Sequence, residues 1–263
     1  MSGQPRTKHS GLTHSKITHS DDYVEYCRET ARRARTLHDL ALRGRDKQKA
    51  TREIHERIIK SVGLGVTDEL IDIGCGDGTL LRMAESLGAR SATGLLATEE
   101  EVKLLRKFGL QVKQGFTDKL PIADKSASVV VCNNVLLVVS RGKIPASLSE
   151  IYRIAKPGAR IFLGEIPFVP NRPVDPRFES RRETLAYLHR TYGLRTWFGM
   201  LRRMAYWTAT GKPPIILDGT GISFYATTEE FIALAETAGL QLVRYWQHED
   251  PNTRNNYLFR KPD

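Results

Sequence analysis

The heptapeptide Asp72-Ile73-Gly74-Cys75-Gly76-Asp77-Gly78 constrains this chain more than any other stretch. It follows the apolar pair Leu70-Ile71 and precedes Thr79-Leu80-Leu81, so glycines alternate with other residues where a strand gives way to a helix. Glycines at such a junction admit positive φ and let backbone approach a ligand, because no Cβ intervenes. The dinucleotide fingerprint at this position is G-x-G-x-x-G, whereas the spacing here is G-x-G-x-G. An acid, Asp72, also ends the strand. A carboxylate there is a poor neighbour for pyrophosphate, which seeks helix N–H groups, and a good one for a ligand carrying an ammonium group. Taken alone, the motif also admits the reading of a tight structural turn.

The flanking sequence repeats the same punctuation. Leu70 to Ile73 reads as a strand, Thr79 to Leu87 as a helix and Ala92 to Leu96 as a second strand. Thr98 with Glu101 three residues on forms a capping box at the head of the next helix. Val112-Lys113 and Ser128 to Cys132 are further strand candidates. Ile144 to Ile154 is a helix stopped by Lys156-Pro157-Gly158, and Arg160 to Ile166 is the fifth strand. This alternation implies an α/β protein with parallel strands, right-handed crossovers and ligands at the carboxyl ends of the strands. Upstream, Asp21 to Ala41 and Lys47 to Val62 are expected to be helices, from Tyr23, Tyr26, Ala31, Ala34 and Leu37 in one and Ile54, Ile58 and Ile59 in the other. The first twenty residues repeat His-Ser without an apolar period and are expected to be a disordered tail. Its histidines lack carboxylate or thiol partners, so no metal site is expected.

Composition limits the function classes. The 263 residues, 40% hydrophobic and 27% charged, are those of a soluble domain with one sizeable core. No apolar run reaches the roughly 18 residues that span a bilayer, and the polar start lacks the apolar core of a secretion signal. Cys27, Cys75 and Cys132 show no metal spacing and leave one thiol over in any pairing, which suits a reducing cytoplasm. The net charge of +10 is uneven, with +6 over residues 1–60, +1 over 61–168 and +5 over 169–222.

Four motifs together resemble one family. Glu69 to Gly78 resembles motif I of the class I S-adenosylmethionine (SAM)-dependent methyltransferases, and Gly115-Phe116-Thr117-Asp118-Lys119-Leu120-Pro121-Ile122 its third-strand loop. Ile151 to Gly158 is similar to the family's Arg-x-Leu-Lys-Pro-Gly-Gly turn. Thr227-Thr228-Glu229-Glu230-Phe231 with Ala238-Gly239-Leu240 is similar to its last helix and strand. The resemblance implies a Rossmann-like seven-stranded sheet whose last strand, Asn256 to Arg260, runs antiparallel. It implies a core over 61–168 and 223–263, preceded by the N-terminal helices over 21–62 read from periodicity, with a helical substrate cap inserted over 169–222. The implied cofactor is SAM, held by Asp72, Gly74, Cys75, Gly76, Gly78, Leu96, Phe116, Thr117 and Asn133, with Asp72 toward its ammonium. Asn134 lies beside the reacting end in the same reading.

The chain departs from the family at two polar contacts. The acid that usually ends the second strand and binds the ribose is Leu96 here, and the acid that often follows the third-strand glycine is Phe116. Glu99 to Glu101 read as first-turn helix residues rather than displaced ribose ligands. In 169–222, Leu185, Leu188, Tyr192, Trp197, Leu201 and Met204 recur at helical spacing among many arginines. Arginine pairs with phosphate or carboxylate in two-point geometry. Arg181, Arg182, Arg190 and Tyr192 are therefore the substrate-binding candidates. For an acceptor hydroxyl the candidate base is His189, with His248 and Glu165 as alternatives.

The resulting expectation is a cytoplasmic enzyme that transfers a methyl group to a small anionic metabolite, such as a nucleotide-linked sugar. The alternatives are a nucleic-acid-directed methyltransferase that uses the basic segments as a phosphate footprint, and a binding protein that keeps the fold without catalysis. Cys132-Asn133-Asn134-Val135 in place of an Asn/Asp-Pro-Pro-aromatic motif argues against base methylation. The aromatic and arginine-rich stretch 197–207 would also suit a peripheral membrane contact.

Overall fold

The computed structural model describes residues 20–40, 47–167, 180–210, 224, 226–247 and 254–263. Its centre is a seven-stranded sheet built from β1 (Glu69–Ile73), β2 (Ser91–Leu96), β3 (Val112–Gln114), β4 (Ala127–Asn133), β5 (Ala155–Pro167), β6 (Gln241–Gln247) and β7 (Arg254–Arg260). The order across the sheet is β3-β2-β1-β4-β5-β7-β6. Strands β1 to β5 pair in parallel, and β7 runs antiparallel to both β5 and β6. The chain moves outward from β1 to β3 and then crosses to β4 on the other side of β1. That reversal leaves a crevice at the carboxyl ends of β1 and β4, where open α/β sheets bind ligands.

Alternation along the strands separates two apolar layers. Ile71, Ile73, Val130 and Cys132 face α5 (Ile144–Ile154) and α7 (Thr228–Thr237), with Leu148, Ile151 and Phe231 at the contact. Leu70, Val129 and Val131 face α2 (Lys47–Val62), α3 (Thr79–Ser86) and α4 (Glu99–Lys107), meeting Ile58, Val62, Leu80, Leu81 and Leu105. Period-two strands covered on both faces bury nearly every side chain, and Val129 to Cys132 are at most 1% exposed.

Most expected elements appear, and the differences have local causes. The first helix, α1 (Ser20–Arg33), stops well short of Ala41 and is followed by a short 3-10 turn, Leu37–Leu40. The Asp39 carboxylate accepts the N–H groups of Arg35 and Thr36, both at 2.8 Å, which starts a new turn instead of continuing the helix. Strand β5 begins at Ala155, so Lys156-Pro157-Gly158 lies within an irregular strand whose register shifts between Ala127 and Val129. The expected cap segment contains one long helix, α6 (Arg181–Thr210). The tail to residue 19 and His248 lie outside the described residues. Among the described residues no helix is long and apolar enough to cross a membrane.

Two contacts fix the N-terminal helices on the sheet. Arg160 of β5 donates to the carbonyls of Val62 (2.6 Å) and Gly63 (2.7 Å) and pairs with Asp68, which pins the end of α2. Helix α1 packs on α4, where Arg32 reaches Glu100 at 2.8 Å. Exposed pairs of that kind contribute only about 0–1 kcal/mol, so α1 is held more lightly than α2.

Phe231 of α7 is fully buried, with ring centroids of Tyr257 at 4.7 Å and Phe224 at 6.0 Å. Phe231→Ala leaves a cavity there and is expected to lose about 3–5 kcal/mol in urea unfolding. A loss below about 1 kcal/mol would contradict this account of the α7 face.

Candidate functional site

A cleft of about 350 Å³ opens at the carboxyl ends of β1, β2 and β4. Its floor is the turn from Asp72 to Asp77, with Leu95 to Ala97, Gly115 to Asp118 and Asn133 to Val135 around it. Gly74 and Gly76 adopt φ of 74° and 53°, a region that costs an L-residue about 1–2 kcal/mol. The N–H groups of Gly74 and Cys75 both donate to the Leu95 carbonyl, at 2.8 and 3.2 Å, which ties the turn to β2. A Cβ on Gly74 would collide with the Val135 side chain, whereas one on Gly76 would meet nothing within 4 Å. The first glycine thus serves packing, and the second faces open cleft.

Asp72 sits at the base of this turn and is only 4% exposed. Burial, and secondarily the charge of Asp77, pushes its carboxyl up to about 7. Among the described residues it forms no ion pair. A carboxylate without water or a cation is costly to ionise, and a ligand's ammonium group would supply the missing charge. The turn and this acid therefore fit the methionine end of SAM, the open Cβ position of Gly76 leaving room for it.

The sequence-derived residues separate into two groups. Asp72, Gly74, Cys75, Gly76, Leu96, Phe116, Thr117 and Asn133 all line the cleft. Thr117 is held from α5, its hydroxyl accepting from Ser147 at 2.8 Å. Phe116 is 47% exposed and presents its ring to the rim. Asn134 also lines the cleft, with φ of 59°, its amide oxygen accepting from Arg254 at 3.0 Å. Gly78 does not line it. It precedes α3 with its open side against Leu110 and Leu105, a packing position. No described residue of α6 lines the cleft. On that helix His189, Arg182 and Arg190 are exposed, and the side chains of Arg181 and Tyr192 lie outside the described set. Glu165 is engaged by Arg254 at 2.8 Å.

The cleft has a roof that the sequence did not announce. Tyr23, Tyr26, Cys27 and Thr30 come from α1, Asp39 and Leu40 from the 3-10 turn, and Thr51 and His55 from α2. Tyr23 and Tyr26 had been legible only as one face of a helix, and His55 had no motif around it. Glu101, the capping-box acid, also lines the cleft. Its carboxylate accepts from the Thr98 hydroxyl at 2.7 Å and from the Thr98 N–H at 3.2 Å. Burial pushes Glu101 above the usual carboxylate range, although the Thr98 bonds oppose the shift. The neighbouring Cys27 thiol is pushed up as well, by burial first and by Glu101 second. Described groups of the lining thus include five acids, Asp39, Asp72, Asp77, Glu101 and Asp118, against the cations of Lys143 and, if protonated, His55.

The sheet order and the surrounding helices are those of the Rossmann-like methyltransferase fold. Residues 71–163 match the family model described as a methyltransferase domain. Among curated relatives, it is 28% identical over 116 residues to malonyl-(acyl-carrier protein) O-methyltransferase of Serratia marcescens, covering 44% of this chain and 45% of that one. The curated relatives it matches are each spanned for less than half their length. Among solved structures it resembles a SAM-dependent methyltransferase from Methanosarcina mazei (TM-score 0.54, 18% identity, 78% of this chain and 97% of that one). It also resembles the (4+2)-cyclase SpnF (TM-score 0.57, 14% identity, 95% and 96%). At these identities the structural likeness is one of fold, and function has to be argued from the site.

Gly76→Val is expected to unfold only about 1–3 kcal/mol more easily, from backbone strain alone. It should nevertheless lose binding of S-adenosylhomocysteine in calorimetry. Gly74→Val, which adds a collision with Val135, should lose more stability. Unchanged affinity in a folded Gly76→Val would remove the turn from the site.

Proposed function

We propose that this protein transfers the methyl group of SAM to a small-molecule acceptor. The observation that carries the reading is the buried Asp72 carboxyl, without a cationic partner among the described residues, at a glycine turn whose middle residue faces open cleft. Asp72 would hold the ammonium group, Leu96 and the Phe116 ring would pack on the nucleoside, and Thr117 and Asn133 would offer hydrogen bonds. SAM supplies an electrophilic methyl group when bound. The chain's own part is to align the two reactants and exclude water, and alignment alone is worth up to roughly 7–11 kcal/mol of barrier in well-oriented systems.

Two features support different parts of the acceptor. The exposed Arg182 and Arg190 of α6, in a segment of net charge +5, support an anionic portion. The acidic lining of the cleft disfavours an anionic reacting group there. The acceptor we propose combines them, as a small metabolite with an anionic part that meets α6 and a neutral group that enters the cleft. A reducing, cytoplasmic setting is part of the same proposal, on the strength of the free cysteines.

The pKa of Asp72 gives the reading a signed pH dependence. The group is protonated in the ligand-free protein below about 7, and the ammonium group requires its ionised form. Binding of S-adenosylhomocysteine at about pH 6 should therefore release about one proton, falling toward zero by about pH 8 as far as Asp72 is concerned. Calorimetry in buffers of different ionisation enthalpy measures this directly. Measurable binding with no proton released at the lower pH would overturn the role of Asp72, and absence of binding would overturn methyl transfer.

A further inference from the structure

We infer that the second half of α6 is a membrane-surface helix, which seats an apolar stripe among the headgroups of an anionic bilayer and holds the protein there. The inference is independent of the methyl-transfer reading, and no described residue of α6 lines the cleft. The helix runs for 30 residues, about 45 Å at the α-helical rise. Leu194, Phe198, Leu201 and Ala205 recur at steps of three and four, which puts them on one side of it. Leu194 is 59% and Phe198 61% exposed. Trp197 borders the stripe, its ring centroid 5.0 Å from that of Phe198. Leu185, half-buried, precedes Leu194 by about two and a half turns and so lies on the opposite side. The apolar side of the helix therefore reverses along its length, and the second half presents Leu194 and Phe198 to solvent.

Charge selects what covers such a stripe. Helix α6 carries six arginines and one acid, Glu183 in its first turn, so 184–210 contains no acidic residue. Arg202 is exposed and flanks the stripe, about two turns beyond Leu194. Tyr206, 51% exposed, follows it. Arginine pairs with phosphate oxygens in two-point geometry, and helices that set Trp, Phe and Leu against arginine lie in the plane of the lipid interface. A bilayer supplies both partners at once, phosphate at the level of the arginines and acyl chain beneath them. A nucleic acid would meet the arginines and leave Leu194 and Phe198 in water. A second copy packed on the same stripe would set arginine against arginine.

Length and sequence also set the mode of contact. A helix of this length exceeds the thickness of a bilayer core, yet among the described residues no helix is long and apolar enough to cross one. The stripe therefore lies in the surface, about 5–10 Å into the boundary between headgroups and acyl chains. The anionic leaflet that faces the cytoplasm attracts basic segments, which agrees with the setting proposed from the free cysteines. Arg182 and Arg190, assigned above to the acceptor, precede the stripe, so the two roles occupy successive parts of one helix.

Vesicle binding by the full chain tests this without any substrate. The protein should float with vesicles of phosphatidylcholine and phosphatidylglycerol in equal parts, and only weakly with phosphatidylcholine alone. Phe198→Glu should weaken that binding about tenfold or more, from the lost burial of one aromatic side chain. Arg202→Ala should weaken it about fivefold, the value of one arginine near an anionic surface. Both side chains are exposed, so melting temperature and binding of S-adenosylhomocysteine should stay as in the wild type. Brominated acyl chains should quench the wild-type tryptophan fluorescence, and Trp197→Phe should lose part of that quenching, which separates insertion from adsorption. Absence of flotation with anionic vesicles, flotation unchanged in Phe198→Glu, or no quenching by brominated lipid would each overturn the inference. So would a short RNA duplex that binds as tightly as the vesicles and loses as much in Phe198→Glu, or a dimer in sedimentation that Phe198→Glu dissociates. Should Phe198→Glu fail to fold, wild-type flotation and quenching decide the question.

Discussion

A buried carboxyl group without a counter-ion among the described residues is the constraint around which this molecule is arranged. Asp72 lies in the centre of a parallel sheet, between Gly94 of β2 and Val131 of β4, where an unpaired charge is disfavoured by several kcal/mol. The turn that follows it can form only because Gly74 and Gly76 accept positive φ and because the Leu95 carbonyl receives two of its N–H groups. The result is a site incomplete by one positive charge. On the proposed reading a cationic ligand completes it, and binding is thereby coupled to ionisation of the acid.

The rest of the structure serves that position unequally. The sheet and its two apolar layers are densely buried and make the floor rigid. The roof is contributed by α1, the short turn after it and α2, all upstream of the stretch that matches the methyltransferase family model. Helix α2 is fixed by Arg160, whereas α1 rests on surface ion pairs to Glu100 and modest apolar contact. Stability that falls from floor to roof is the distribution expected where a ligand must enter and leave.

What was legible in the sequence follows from the range of the interactions involved. Strand and helix periodicity, the Thr98–Glu101 capping box and the glycine turn are local, and the structure reproduces them closely. Most residues assigned to the cofactor from the family motifs meet in one cleft because the sheet order brings strand ends together. Gly78 is different, since its neighbour Leu110 is distant in sequence. The roof was illegible for the same reason. Nothing near Tyr23 or His55 records that they line the same cleft as Asp72 and Asp77, and the capping box at Glu101 does not announce its second position in the cleft wall. The arginines of 169–222 stand out by composition alone, and those among the described residues lie outside the cleft.

Hydrogen–deuterium exchange with and without S-adenosylhomocysteine tests most directly whether floor and roof form one ligand site. The account predicts slower exchange in 72–78 and 115–118 together with α1, because a ligand held at Asp72 also closes the lightly fixed helix above it. Protection confined to α6, or protection of the turn with α1 unchanged, would contradict it.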